Sequence, residues 1–151
     1  MVPVDLAPLP CRRVADVLIA SDAEWVHHEV RQVLRGPDLT VRSVHSGPDA
    51  LAAVRERAPD LAVLDMQIGN MGAMAISLDL HLEEGMDRLP HVAILILLDR
   101  RPDVFLARRS GAEGFVVKPL DPIRLRRAVT ALLAGGTYED PSYKPTTVPP
   151  A

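Results

Sequence analysis

Short, almost wholly apolar runs alternate along the chain with longer segments whose apolar positions recur at helical spacing. Residues 17–20 (Val-Leu-Ile-Ala) form the first such run. Trp25, Val26, Val30, Val33 and Leu34 then follow one face of a helix, and residues 39–44 alternate like a strand. Residues 49–57 predict a second helix, with Pro48 suited to its first turn. Residues 61–64 and 92–97 predict the third and fourth strands, with a helix over 73–84 between them. A short helix over 103–109 ends at Gly111, residues 114–117 predict a fifth strand, and a last helix over 122–133 stops at Gly135-Gly136.

Five strands and five helices in strict alternation predict an α/β fold with a doubly wound, five-stranded parallel sheet. The strands read as continuous apolar runs because parallel strands are covered on both faces. In such sheets functional groups collect at the carboxyl ends of the strands.

Composition adds bounds to this picture. The 151 residues, 48% of them hydrophobic and 25% charged, suit one globular domain with a single core. A net charge of -3 gives no electrostatic case for nucleic acid as main partner. One cysteine, Cys11, leaves no intramolecular disulfide, and the first residues lack the basic and apolar regions of a signal peptide. The longest apolar stretch, 92–98, is too short to span a bilayer. The expectation is a cytoplasmic protein that meets a membrane only through a partner complex. Residues 1–12 carry Pro3, Pro8 and Pro10, and residues 137–151 carry Pro141, Pro145, Pro149 and Pro150, which predicts no regular structure at either end. The chain therefore divides into an arm over 1–13, a domain over 14–135 and an extended tail over 136–151.

Three charged residues fall at strand ends: Asp22 after the first strand, Asp65 at the end of the third and Lys118 at the end of the fifth. Neighbouring carboxylates suit a hard divalent cation, and an ammonium beside them suits a phosphoryl group. Residues 59–66 (Pro-Asp-Leu-Ala-Val-Leu-Asp-Met), 46–51 (Ser-Gly-Pro-Asp-Ala-Leu) and 110–120 (Ser-Gly-Ala-Glu-Gly-Phe-Val-Val-Lys-Pro-Leu) stand in the order found in bacterial response-regulator receiver domains. The chain resembles that family over roughly residues 14–134. The resemblance implies the flavodoxin-like receiver fold, with Asp65 as phosphoacceptor and Asp22, Asp65 and Gln67 as the Mg²⁺ positions. It also implies Lys118 as phosphoryl contact, Phe115 as switch aromatic and a cis Lys118-Pro119 bond.

The departures carry equal weight. Where the family has two adjacent acids, this chain has Ser21-Asp22. Where the family has Thr or Ser at the end of the fourth strand, it has Ile96 or Leu97, according to a one-residue choice of alignment. A hydrogen bond to a charged group is worth about 1.5 to 3 kcal/mol, and a full two-state switch takes about 5.5 kcal/mol of bias. Losing the hydroxyl therefore removes roughly a quarter to a half of a phosphorylation signal. Losing a carboxylate weakens Mg²⁺ binding.

Plainer roles exist for the same residues. Ser21-Asp22-Ala23-Glu24 matches a helix capping box, which assigns Ser21 to the cap and leaves Asp22 either role. Asp65 and Lys118 could form only a structural ion pair, and Phe115 could only pack. The five histidines lack metal-ligand spacing and read as surface or partly buried residues. Arg100, Arg101, Arg108, Arg109, Arg124, Arg126 and Arg127 gather around the last two helices, where a solvated face competes with a contact surface. Arg124, Arg127, Tyr138 and Tyr143 are the candidates for partner contact.

Two functions follow. One is a stand-alone receiver with no DNA-binding output domain, acting by protein contact as an accessory subunit of a larger complex. Residues 98–101 (Leu-Asp-Arg-Arg) and 105–112 (Phe-Leu-Ala-Arg-Arg-Ser-Gly-Ala) resemble orphan receivers of actinobacteria, and that resemblance raises the proton-pumping NADH dehydrogenase as a candidate host. The other is a diffusible switch phosphorylated on Asp65 by a histidine kinase. An enzyme is disfavoured, since no glycine-rich phosphate loop or nucleophile–base pair is present.

Overall fold

A computed structural model describes residues 13–69 and 71–143. The arm over 1–12 and residues 144–151 lie outside the described residues. The observed order is β1 (Ala15–Ala20), α1 (Glu24–Val33), β2 (Leu39–Val44), α2 (Gly47–Glu56), β3 (Leu61–Asp65), α3 (Ala73–Gly85) and β4 (Ala93–Leu98). A single 3₁₀ turn (Arg101–Asp103) leads into α4 (Val104–Arg109), followed by β5 (Gly114–Val117) and α5 (Pro122–Leu133). Five parallel strands stand in the order β2-β1-β3-β4-β5. The doubly wound α/β fold is therefore as the alternation predicts.

A sixth strand, β6 (Tyr138–Glu139), departs from the prediction. It adds to the outer edge of β5 in parallel, with Gly114 beside Tyr138 and Phe115 beside Glu139. A second 3₁₀ turn, Pro141–Tyr143, follows it. The proline count predicted no regular structure here, but Pro141 falls just after the strand, so it removes no donor from the ladder. The path is set by the end of α5. Gly135 takes φ +86°, and the amides of Gly135 and Gly136 turn back to the carbonyls of Leu132 and Ala131. That closure directs the chain back along β5. Gly114 makes the approach feasible, because a Cβ there would stand 2.9 Å from the Tyr138 carbonyl oxygen.

The core has two layers, one on each face of the sheet. Leu18, Leu64, Ile96 and Phe115 pack with α2, α3 and α4, whereas Ile19, Val63, Leu97 and Val116 pack with α1 and α5. Local signals set the helix ends. Ser46 accepts the Asp49 amide at 3.2 Å and starts α2 two residues before the predicted point. Asp121 accepts the amides of Ile123 and Arg124 and starts α5 ahead of Pro122. The Lys118-Pro119 bond is cis.

Candidate functional site

β1, β3 and β5 deliver Ser21-Asp22, Asp65 and Lys118 to one end of the sheet. Asp65 is buried, its side chain 3% exposed. Its Oδ1 accepts the Lys118 ammonium at 2.8 Å and the Gln67 amide at 3.2 Å. Its Oδ2 accepts the Ser21 hydroxyl at 2.7 Å. Lys118 Nζ reaches on to Asp99 Oδ1 at 2.9 Å and lies 5.4 Å from the ring centre of Trp25. Burial pulls the Lys118 pKa down, but hydrogen bonds to Asp65 and Asp99, and their charges, outweigh it and leave the pKa raised.

The capping-box reading of Ser21 is not what the structure shows. Ala23 is the N-cap residue of α1, no side chain caps it, and Glu24 bonds His45 instead. Ser21 is fully buried; its hydroxyl donates to Asp65 and accepts the Ala23 amide at 3.0 Å. The physical reason is burial. Water can satisfy the amides at an exposed helix start, whereas a buried carboxylate oxygen needs a protein donor. Ser21 is further fixed by His27, which donates from Nε2 to the Ser21 carbonyl at 2.8 Å. His27 is itself buried, deeper than the surface or partly buried place its spacing predicted.

Asp22 points elsewhere: its Oδ2 accepts the Gly69 amide at 3.2 Å, tying the loop after β3 to the end of β1. Gln67 enters the pocket through its amide, and its side chain is exposed. These residues fit a resident Mg²⁺ poorly. Ser21 supplies a hydroxyl where a second adjacent carboxylate would sit, and Asp22 and Asp65 already accept hydrogen bonds. Among the described residues no cluster of three His, Cys, Asp or Glu side chains is placed to hold a metal ion. Beside Asp65 in the sheet stands Leu97 of β4, with Ile96 beside Leu64. Both are fully buried.

Two acids that the sequence reading missed are Asp99, which holds Lys118 at the pocket, and Asp140, which lies beside β5. Asp99 follows directly on the six apolar residues of β4, the same signal that marked Asp65 on β3. Asp140 had no such signal, since it lies in a segment read as structureless. It is fully buried and accepts from the Val117 amide at 2.9 Å, from Arg124 Nη1 at 3.1 Å and from the Ser142 amide at 2.9 Å. Burial raises the Asp140 pKa, but these donors and the Arg124 charge outweigh it and leave the pKa lowered. Two of the partner-contact candidates are thus engaged within the chain: Arg124 on Asp140, and Tyr138 in β6 against the α5 layer. Burial and the Asp140 charge raise the Tyr138 pKa. Arg127 is exposed on α5, and the Tyr143 side chain lies outside the described residues. Phe115 is buried in the α2–α3–α4 layer.

A parallel, doubly wound sheet with a buried Asp at the end of β3 paired with a Lys at the end of β5 defines a receiver-like α/β domain. The comparisons agree: the response regulator receiver domain family matches residues 17–130, and the chain belongs to that family. It is 31% identical over 117 residues to the DNA-binding response regulator MtrA of Mycolicibacterium smegmatis, covering 78% of this chain and 50% of MtrA. The chain therefore spans about half the length of that relative. It is 38% identical over 123 residues to the uncharacterized response regulatory protein MT3230 of Mycobacterium tuberculosis, covering 78% of this chain and 90% of that protein. Among solved structures, a two-component response regulator of the LuxR family from Aurantimonas sp. SI85-9A1 superposes with a TM-score of 0.75 at 25% identity, covering 86% of this chain and 92% of that one. No helix among the described residues is long and apolar enough to cross a membrane.

Proposed function

We propose that this receiver works by protein–protein contact, as an accessory subunit of a larger complex, with its Asp65 pocket held shut by its own side chains. The observation that carries the reading is the state of Asp65. The carboxylate is buried, one oxygen is held by Ser21 and the other by Lys118, and Asp99 holds Lys118 from the far side. A phosphoryl donor would have to displace both bonds, and an incoming Mg²⁺ would find one carboxylate fewer than the family provides. The hydroxyl missing at the end of β4, at Ile96 or Leu97, removes the readout as well. The likeness to MT3230, nearly all of which this chain covers, fits a receiver that works without an appended domain. The proton-pumping NADH dehydrogenase is one candidate host, on the resemblance to orphan actinobacterial receivers alone. Size-exclusion of native extract tests the reading. The chain is expected in a larger complex, and Asp65→Asn is expected to co-elute equally. A chain found only as free monomer, or a complex lost with Asp65→Asn, contradicts it.

The alternative is a phospho-switch on Asp65, served by a histidine kinase, with Asp22, Asp65 and Gln67 around a weakened Mg²⁺ site, Lys118 on the phosphoryl group and Phe115 as the switch. The retained Asp65–Lys118 pair at 2.8 Å favours it.

A further inference from the structure

Every polar group of Ser21 is engaged. Its amide donates to the Val44 carbonyl at 3.2 Å, and its hydroxyl donates to Asp65 and accepts the Ala23 amide. Its carbonyl accepts His27 Nε2 at 2.8 Å, so a side chain of α1 holds the backbone that aims the hydroxyl. A carbonyl oxygen only accepts, so Nε2 carries the ring proton and Nδ1 is left as a bare acceptor. His27 is 4% exposed. Among the described residues, its Nδ1 is the sole buried side-chain nitrogen or oxygen with no hydrogen-bond partner. Buried polar atoms are nearly always paired, so this one stands out as an open position for a proton.

The ionisable groups around His27 come from several elements. The His45 ring, from the loop between β2 and α2, lies 4.5 Å from the His27 ring, centre to centre. His45 Nε2 is 2.8 Å from Glu24 Oε1 in the first turn of α1. Asp65 of β3 and Lys118 of β5 lie beyond Ser21. Other charged groups of the neighbouring elements are engaged elsewhere: Arg31 with Ser43 on β2, Arg126 of α5 with the Val33 carbonyl, and Asp22 with the Gly69 amide.

We propose that His27 is a positioning residue of the Asp65 pocket and a proton-operated latch on it: with Nδ1 bare the ring holds Ser21 against Asp65, and a proton taken up at Nδ1 releases Ser21. That proton makes a buried N–H without an acceptor and a buried positive charge beside His45. The charged ring gains by turning out toward water and Glu24, and Nε2 then leaves the Ser21 carbonyl. The Ser21 hydroxyl is no longer fixed on Asp65 Oδ2. Histidine side chains change charge between about pH 5 and 8, so the latch is closed at the alkaline end of that range and released toward the acid end. The inference rests on the reading of Asp65 as a shut pocket and adds what opens it.

Nitrogen NMR of the full-length chain from about pH 8 to about pH 5 tests the latch. It compares wild type with His27→Gln, whose carboxamide nitrogen reaches the place of Nε2 and donates without titrating. The reporters are the His27 ring nitrogens, the Ala23 amide on Ser21 Oγ and the Gln67 backbone amide on Asp65 Oδ1. Wild type is expected to show the Nε2–H tautomer at the alkaline end, with both amide shifts moving at the midpoint of the His27 ring. In His27→Gln both amides are expected to lose that midpoint. Amides that stay still while the ring titrates, a ring that takes up no proton, an Nδ1–H tautomer at the alkaline end, or an equal movement in His27→Gln each overturn the proposal. The wild-type comparison decides alone if His27→Gln does not fold. A phosphoryl adduct on wild type overturns the shut-pocket reading, whereas unlinked midpoints overturn only the role of His27, so the two failures are told apart.

Discussion

Ser21 Oγ stands 2.7 Å from Asp65 Oδ2, so a hydroxyl at the end of β1 donates to the carboxylate where the family places an acid that would repel it. This exchange turns a cation-binding corner into a hydrogen-bonded one. Ser21→Ala should leave Asp65 Oδ2 buried without a donor, at a cost of about 1–3 kcal/mol. Urea unfolding checks this, and an unchanged midpoint would count against the bond.

Ser21→Asp should do the reverse of what the natural residue does. The new carboxylate at position 21 then faces Asp65 in place of the donor hydroxyl, so the variant is less stable than wild type in chelator and regains stability as Mg²⁺ is added. Melting temperatures across a Mg²⁺ titration check it. Wild type should shift little over the same range.

Lys118→Met should be more damaging than Asp65→Asn. The first strands a buried charged carboxylate, at about 3–5 kcal/mol. The second leaves Lys118 with Asp99 and keeps a polar group for Ser21, and should cost less. Denaturant midpoints of the two variants decide the order.

Lys118 and Asp140 give opposite pH limbs. The Lys118 pKa is raised, so its contribution is complete below the ordinary lysine value of about 10 and is lost as pH rises through the folded value. The Asp140 pKa is lowered, so its contribution is present above the ordinary carboxylate value of about 4 and is lost as pH falls through the folded value. Stability measured against pH should therefore show a shallower acid limb in Asp140→Asn than in wild type.

Gly114→Ala tests how β6 is seated. The added Cβ meets the Tyr138 carbonyl oxygen at 2.9 Å and Leu132 Cδ1 at 3.0 Å. The expected cost is about 1–3 kcal/mol. Hydrogen exchange at the Val117 amide should accelerate, because its acceptor Asp140 lies on the displaced segment.

The alternation of apolar runs located all five principal strands and five helices, since periodicity and strand burial are local properties. Asp22, Asp65 and Lys118 were visible because a charge that ends an apolar run is conspicuous. The use of Ser21 was not visible. Its spacing to Glu24 matches a capping box, and only the long-range approach of Asp65, 44 residues on, decides what its hydroxyl does. β6 was hidden for a similar reason. Tyr138-Glu139 has no strand pattern of its own and is held by what lies opposite: Gly114, Arg108 and the Val117 amide.

The most direct measurement is intact mass after incubation with Mg²⁺ and acetyl phosphate, for wild type, Ser21→Asp and Asp65→Asn. A pocket held shut by Ser21 and Lys118 predicts no phosphoryl adduct on wild type, the same as Asp65→Asn, and an adduct on Ser21→Asp. A stoichiometric adduct on wild type that disappears in Asp65→Asn would contradict the account.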